Sequence, residues 1–167
     1  VGVNFQKNNW TLQFWNTYIE NILNTRMSKI EWKSKTIRNK TWFLGGQIIQ
    51  QNTIGNGGNE DPTKAYAQKN SGSNVFSSRV GQQATKFDWY LNGTRITAKG
   101  RYLMPREWGR ETFYTFMPRE RNEGYGDLTA ITLNTYFKPE KHIKLELSGG
   151  YFQLPDVKNF ALNKYGM

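Results

Sequence analysis

Period-two alternation dominates the chain. Phe87, Trp89 and Leu91 alternate with Asp88, Tyr90 and Asn92, and Ile131, Leu133 and Phe137 with Ala130, Thr132, Asn134 and Tyr136. Ile143, Leu145, Leu147 and Tyr151 alternate with Lys144, Glu146, Ser148 and Gly150. Successive strand side chains point to opposite faces, so each stretch predicts a strand with one apolar, aromatic face and one polar or small face. The pattern recurs over Val1–Phe5, Trp10–Ile22, Ser28–Ile37, Thr41–Gln51 and Asn74–Gln83, although Trp15 and Ile19 break the polar side of the second. It predicts about eight strands with no amphipathic helix between them.

Connections fall into two classes. Short polar turns at 6–9, 38–40, 84–86 and 138–141 alternate with connections at 23–27, 52–73, 99–126 and 155–167, most of them long. The chain therefore reads as all-β, a single antiparallel up-and-down meander over 1–167. Tight turns at one end and long loops at the other are the plan of a transmembrane β-barrel. Strands of about 10–12 residues suffice to cross a bilayer when tilted. Gly45 and Gly46, inside one strand, mark a bend or a close approach. The chain starts at Val1 and stops at Met167 within an apparent loop, so we expect a fragment of a larger barrel, its closing strand missing.

Composition sharpens this picture. Hydrophobic residues make up 37% of the 167 residues, while aromatics reach 15%. Mean hydropathy is −0.77. Few aliphatics with many aromatics suit a barrel with an apolar outer band, Trp and Tyr at its rims and a wet interior. No run approaches the roughly 18 apolar residues of a spanning helix, but barrel strands leave only a weak hydropathy signal. The absence of cysteine excludes disulfides, thiolate metal sites and cysteine nucleophiles. His142 is the only histidine and sits in a predicted tight turn, so a histidine-based triad or a multi-histidine metal site has nothing to build on. Gly55-Asn56-Gly57-Gly58-Asn59 lacks both the Gly-Lys-Ser/Thr ending and the helix of a phosphate loop. We expect no enzyme, no cofactor and no metal.

The net charge of +10 calls for an anionic partner or a basic interior. Its placement favours the interior, and we expect no nucleic-acid partner. Lys29, Lys33 and Lys35 share a strand face with Glu31, opposite Ile30 and Trp32. Arg79, Lys144 and Glu146 occupy polar positions on other strands. With polar faces turned to a lumen, Lys29, Lys33, Lys35, Arg79 and Lys144 would line a path for small anionic or zwitterionic solutes, with lipid outside. The loop 99–126 holds a near-repeat, Met104-Pro105-Arg106-Glu107 returning as Met117-Pro118-Arg119-Glu120. Its prolines exclude a continuous helix or central strand, and its aromatics predict a folded loop that packs on something. Arg101, Arg106, Arg110, Arg119 and Arg121 would fold back near the mouth and meet carboxylates, or instead pair with Glu107, Glu111, Glu120 and Glu123.

The loop PREWGRETFYTFMPRERNEGYGD, the strand end Thr94 to Gly100 and the late segment Leu154 to Gly166 resemble OprD-like outer-membrane porins. The likeness covers nearly the whole chain, which corresponds to the C-terminal portion of such a porin. It implies a bacterial outer-membrane barrel for substrate-specific diffusion of small carboxylate-bearing solutes, with a ladder of basic side chains and inward-folded loops. Lys29, Lys33, Lys35 and Arg79 are the ladder candidates. The family's ladder is arginine-rich where this one is mainly lysine, and the aromatic-ended closing strand is absent. Two other readings compete: a soluble, lipocalin-like eight-stranded barrel binding a small ligand, and a small membrane barrel that conducts nothing.

Overall fold

Each alternating stretch pairs with the next. In the computed structural model, which describes residues 1–104, 111–117 and 122–159, the strands are β1 (Gly2–Lys7), β2 (Trp10–Ile19), β3 (Leu23–Lys33) and β4 (Lys40–Thr53). They continue as β5 (Gly72–Ala84), β6 (Phe87–Ile96), β7 (Leu128–Glu140) and β8 (Ile143–Gln153). All eight form one antiparallel sheet in chain order, with no helix among the described residues. Among those residues β1 pairs only with β2 and β8 only with β7, so both edges stay open.

The connections divide as the sequence predicts. At one end lie 8–9, 34–39, 85–86 and 141–142; at the other lie 20–22, 54–71 and 97–127. Left-handed backbone at Asn8, Asn21 and Asn39 marks three of the turns, and asparagine tolerates that conformation better than most residues. Several boundaries differ from the sequence expectation. Asn24, Thr25 and Arg26 are not a connection: they pair with Tyr18, Thr17 and Asn16 inside the β2–β3 ladder. The predicted turn 38–40 widens, because β3 ends at Lys33 and the connection is then held by the Ile37–Lys40 bridge and by bonds of Ser34 to Trp42 and Thr36 to Thr41. Lys138 and Glu140 belong to β7 rather than to a turn.

The sheet's two faces are unlike. One is bare and apolar: Phe14 is 51% exposed, Trp42 46%, Leu133 47% and Leu147 76%. Trp10 and Trp32 meet on this face at 6.4 Å, and Trp42 and Trp89 at 6.0 Å, edge to face. The other face carries the buried residues, and residues 102–104 and 111–117 of the 97–127 connection lie across it. Ile49, Val75, Ile96, Leu128 and Ala130 from the strands pack there against Tyr102 and Phe113 of the loop. Trp15, which interrupts the polar alternation of β2, lies on this covered side opposite Met27.

Candidate functional site

Strand register decides which polar side chains meet on the covered face. Lys33 lies opposite Phe43, Phe43 opposite Gly81, and Gly81 opposite Tyr90. Gly81 leaves room for Tyr90, whose Cδ1 would sit 2.4 Å from an added Cβ. Phe43 and Tyr90 pack edge to face at 6.0 Å, and Tyr90 meets Tyr136 at 6.2 Å. A cation lies over each ring of this row. Lys33 Nζ is 5.9 Å from the Phe43 centroid, the Arg79 guanidinium 4.9 Å from Tyr90, and Lys144 Nζ 3.9 Å from Tyr136. Such contacts are each worth about 0.5–1 kcal/mol when exposed and about 2 when desolvated. Among the described residues no carboxylate forms an ion pair with Lys33, Arg79 or Lys144, whereas Lys29 pairs with Glu31 at 2.7 Å and Lys138 with Asp88 at 2.6 Å. Among the described residues the row therefore holds three cations without a direct ion pair, with Glu31 acting on Lys33 and Arg79 only through space.

The loop is pinned to this wall by Tyr114. Its hydroxyl donates to Glu31 Oε1 at 2.8 Å, and its backbone N–H donates to Ser77 Oγ at 3.1 Å. Arg79 donates to the Tyr114 carbonyl at 3.1 Å and stacks over the Tyr114 ring at 4.8 Å. Arg79 Nε also donates to Asn92 Oδ1 at 2.6 Å, and Asn92 donates in turn to Thr132 Oγ1 and Asn134 Oδ1. Burial, and then the bond to Glu31, raise the Tyr114 phenol above its ordinary pKa, so it stays a donor at neutral pH. Gly45 makes this approach possible: an added Cβ would stand 2.4 Å from the Tyr114 hydroxyl oxygen.

Two further ties hold other described parts of the loop. Leu103 N–H donates to Gln51 Oε1 and its carbonyl accepts from Gln51 Nε2, both at 2.8 Å, a strand-like exchange made by a side chain. Glu111, buried, accepts from the Asn122 backbone and amide at 2.7 Å each and from the Glu123 backbone at 2.8 Å, stitching the two limbs together. Burial pushes its carboxyl up to about 7 despite those donors.

The structure brings four of the five expected path residues to the covered face: Lys29, Lys33, Arg79 and Lys144. Lys35 is not among them; it lies beyond the end of β3, exposed in the 34–39 connection, because the lysine spacing continues past the last paired residue. Of the loop arginines, Arg101 is described: it lies at the base of the loop and donates from Nε to the Gly124 carbonyl at 2.6 Å. Arg106, Arg110, Arg119 and Arg121 lie outside the described residues, as do Glu107 and Glu120. Sequence reasoning missed the ring row and Lys138. Parity with Asp88 and Asn92 places Tyr90 on the polar face, a signal that was present, but nothing in the chain announces that three rings from three strands line up. Comparison with protein-family models and with curated proteins finds no match for this chain.

Proposed function

We propose that the chain is part of an OprD-like porin of the bacterial outer membrane, a passive diffusion path for small carboxylate-bearing solutes. The single observation that carries the reading is the opposition of faces: exposed apolar side chains on one side of the sheet, and on the other buried polar groups and cations that form no ion pair among the described residues. A soluble barrel closing on these strands would need Trp10, Phe14, Trp42 and Leu145 in its interior, yet these are about half exposed or more. Against lipid the same face needs no cover, because the hydrocarbon replaces the missing protein core.

Transport under this reading has no covalent step and no cofactor. Lys33, Arg79 and Lys144 raise the local anion concentration along the wall, and the ring faces keep their charged groups from wandering. Tyr114 of the loop lies over the same wall, against Arg79 and Glu31. The test is the full-length protein in planar bilayers: it should form ohmic channels that pass small carboxylates more readily than neutral solutes of equal size. Silent bilayers, or currents and fluxes indifferent to solute charge, would remove the proposal.

A further inference from the structure

A second site lies apart from the ring row. A cavity of about 420 Å³ opens between β2, β3, β4 and the returning loop, with Trp15, Met27, Ile49 and Tyr102 among its walls. None of Phe43, Tyr90, Tyr136, Lys33, Arg79 or Lys144 lines it. Its volume falls within the roughly 300–1,000 Å³ typical of small-ligand sites. Among the described residues of its lining the one charged side chain is Lys29, which pairs with Glu31 at 2.7 Å. An anion entering here would lose hydration and gain no net opposite charge. Gln13 and Thr17, on the β2 wall, make no side-chain hydrogen bond among the described residues, so both can serve a polar group on a ligand.

We propose that this cavity binds uncharged amphiphiles: a ring-sized apolar body against Trp15, Met27, Ile49 and Tyr102, with one hydroxyl or amide turned to Gln13 and Thr17. The charge argument sets this ligand class apart from the carboxylates expected on the ring row. Binding requires only the sheet and its covering loop, so it can succeed or fail independently of conduction.

The test titrates 4-ethylphenol into the full-length protein in detergent micelles, reading isoleucine and methionine methyl resonances. Met27 and Ile49 should shift saturably, while Ile48 and Ile131, on the bare face, should stay still. 4-Ethylbenzoate should bind at least about tenfold more weakly, because its charge must be desolvated without a partner. Thr17→Trp, at an exposed rim position, should fill the cavity and abolish the shifts. Gln13→Leu should weaken binding by about three- to tenfold, the loss of one hydrogen bond. Equal movement of all four methyls would mean partition into detergent, and would overturn the proposal. So would benzoate binding as tightly as the phenol, or unaltered binding in a folded Thr17→Trp protein. Should that variant not fold, the bare-face methyls and the benzoate arm decide the matter in the unmodified protein.

Discussion

The two faces of this sheet come from the same strands, residue by alternate residue, yet they invert the usual arrangement of a one-sided sheet. Ordinarily the apolar face is packed and the polar face is wet. Here the bare face carries Trp42, Leu44, Leu91, Leu133 and Leu147, and the packed face buries Gln47, Gln51, Ser77, Asn92, Thr94, Thr132 and Asn134. Packing on that side depends on hydrogen bonds: Ser77 to Thr94 and Thr115 to Thr94, both at 2.8 Å, and the Arg79–Asn92–Asn134 chain. The comparison teaches that the covered face buries polar groups beside an apolar cluster of Ile49, Val75, Ile96 and Leu128, with described loop residues such as Tyr102 and Phe113 as the covering layer. The proposed function assigns the bare side to lipid.

The largest effect should come from breaking the bare face. Leu44→Arg, mid-strand on β4, should cost about 2–4 kcal/mol of unfolding free energy in lipid vesicles if it lies near the bilayer midplane. Thr11→Arg, on the covered face of β2, should stay within about 0.5 kcal/mol. Denaturant titrations of both variants in the same vesicles measure the contrast; equal costs would erase the distinction between the faces.

A smaller effect should follow from unpinning the covered face. Gly45→Ala places a methyl group within 2.4 Å of the Tyr114 hydroxyl oxygen, which must move. The Glu31 bond and the stacking on Arg79 go with it, a loss of about 1–3 kcal/mol in loop stability. Amide hydrogen exchange at Tyr114, whose N–H is held by Ser77, should accelerate accordingly, while the β6–β7 ladder should not respond. Tyr114→Phe should reproduce part of this, about 1 kcal/mol, by removing the hydroxyl alone.

Much of the fold is legible in the sequence. The alternation over 143–148 and 87–92 locates β8 and β6, and the short turn 85–86 falls on threonine and lysine; Gly93, Arg95 and Ile96 in β6 and Gly149 and Phe152 in β8 interrupt the pattern towards the strand ends. Gly45, expected to mark a bend or close approach, is a close approach. The expectation fails where the covered face is apolar near the long loops. Leu23 and Met27 lie on that face, so the polar residues between them, Asn24 and Arg26, imitate a turn although they are paired. The real turn hides at Asn21, whose left-handed φ of 57° is invisible to periodicity. The site was legible only in part for a different reason. Lys29, Lys33, Arg79 and Lys144 announce themselves by parity, whereas Tyr114 reaches Glu31 across 83 positions of sequence, and no local pattern encodes such a meeting.

A separate effect concerns pH. Glu111 has its folded pKa raised from 4.5 to about 7, so the fold prefers the neutral acid. Its contribution is fully present below about 4.5 and is lost as pH rises through about 7, the sign expected for a raised carboxyl. Loop protection, corrected for intrinsic exchange chemistry, should therefore decline between pH 4.5 and 7. Glu111→Gln should flatten that decline. Protection that improves with pH would assign the charged form to the fold instead.

The bare face can be tested against lipid directly. Six single-tryptophan versions of the full-length protein, reconstituted in vesicles containing bromine-labelled acyl chains, would report which side chains touch hydrocarbon. Strong quenching of Trp42 and Trp89, with little at Trp15 on the covered side, is the outcome this structure predicts. Strong quenching at Trp15 with none at Trp42 or Trp89 would contradict it.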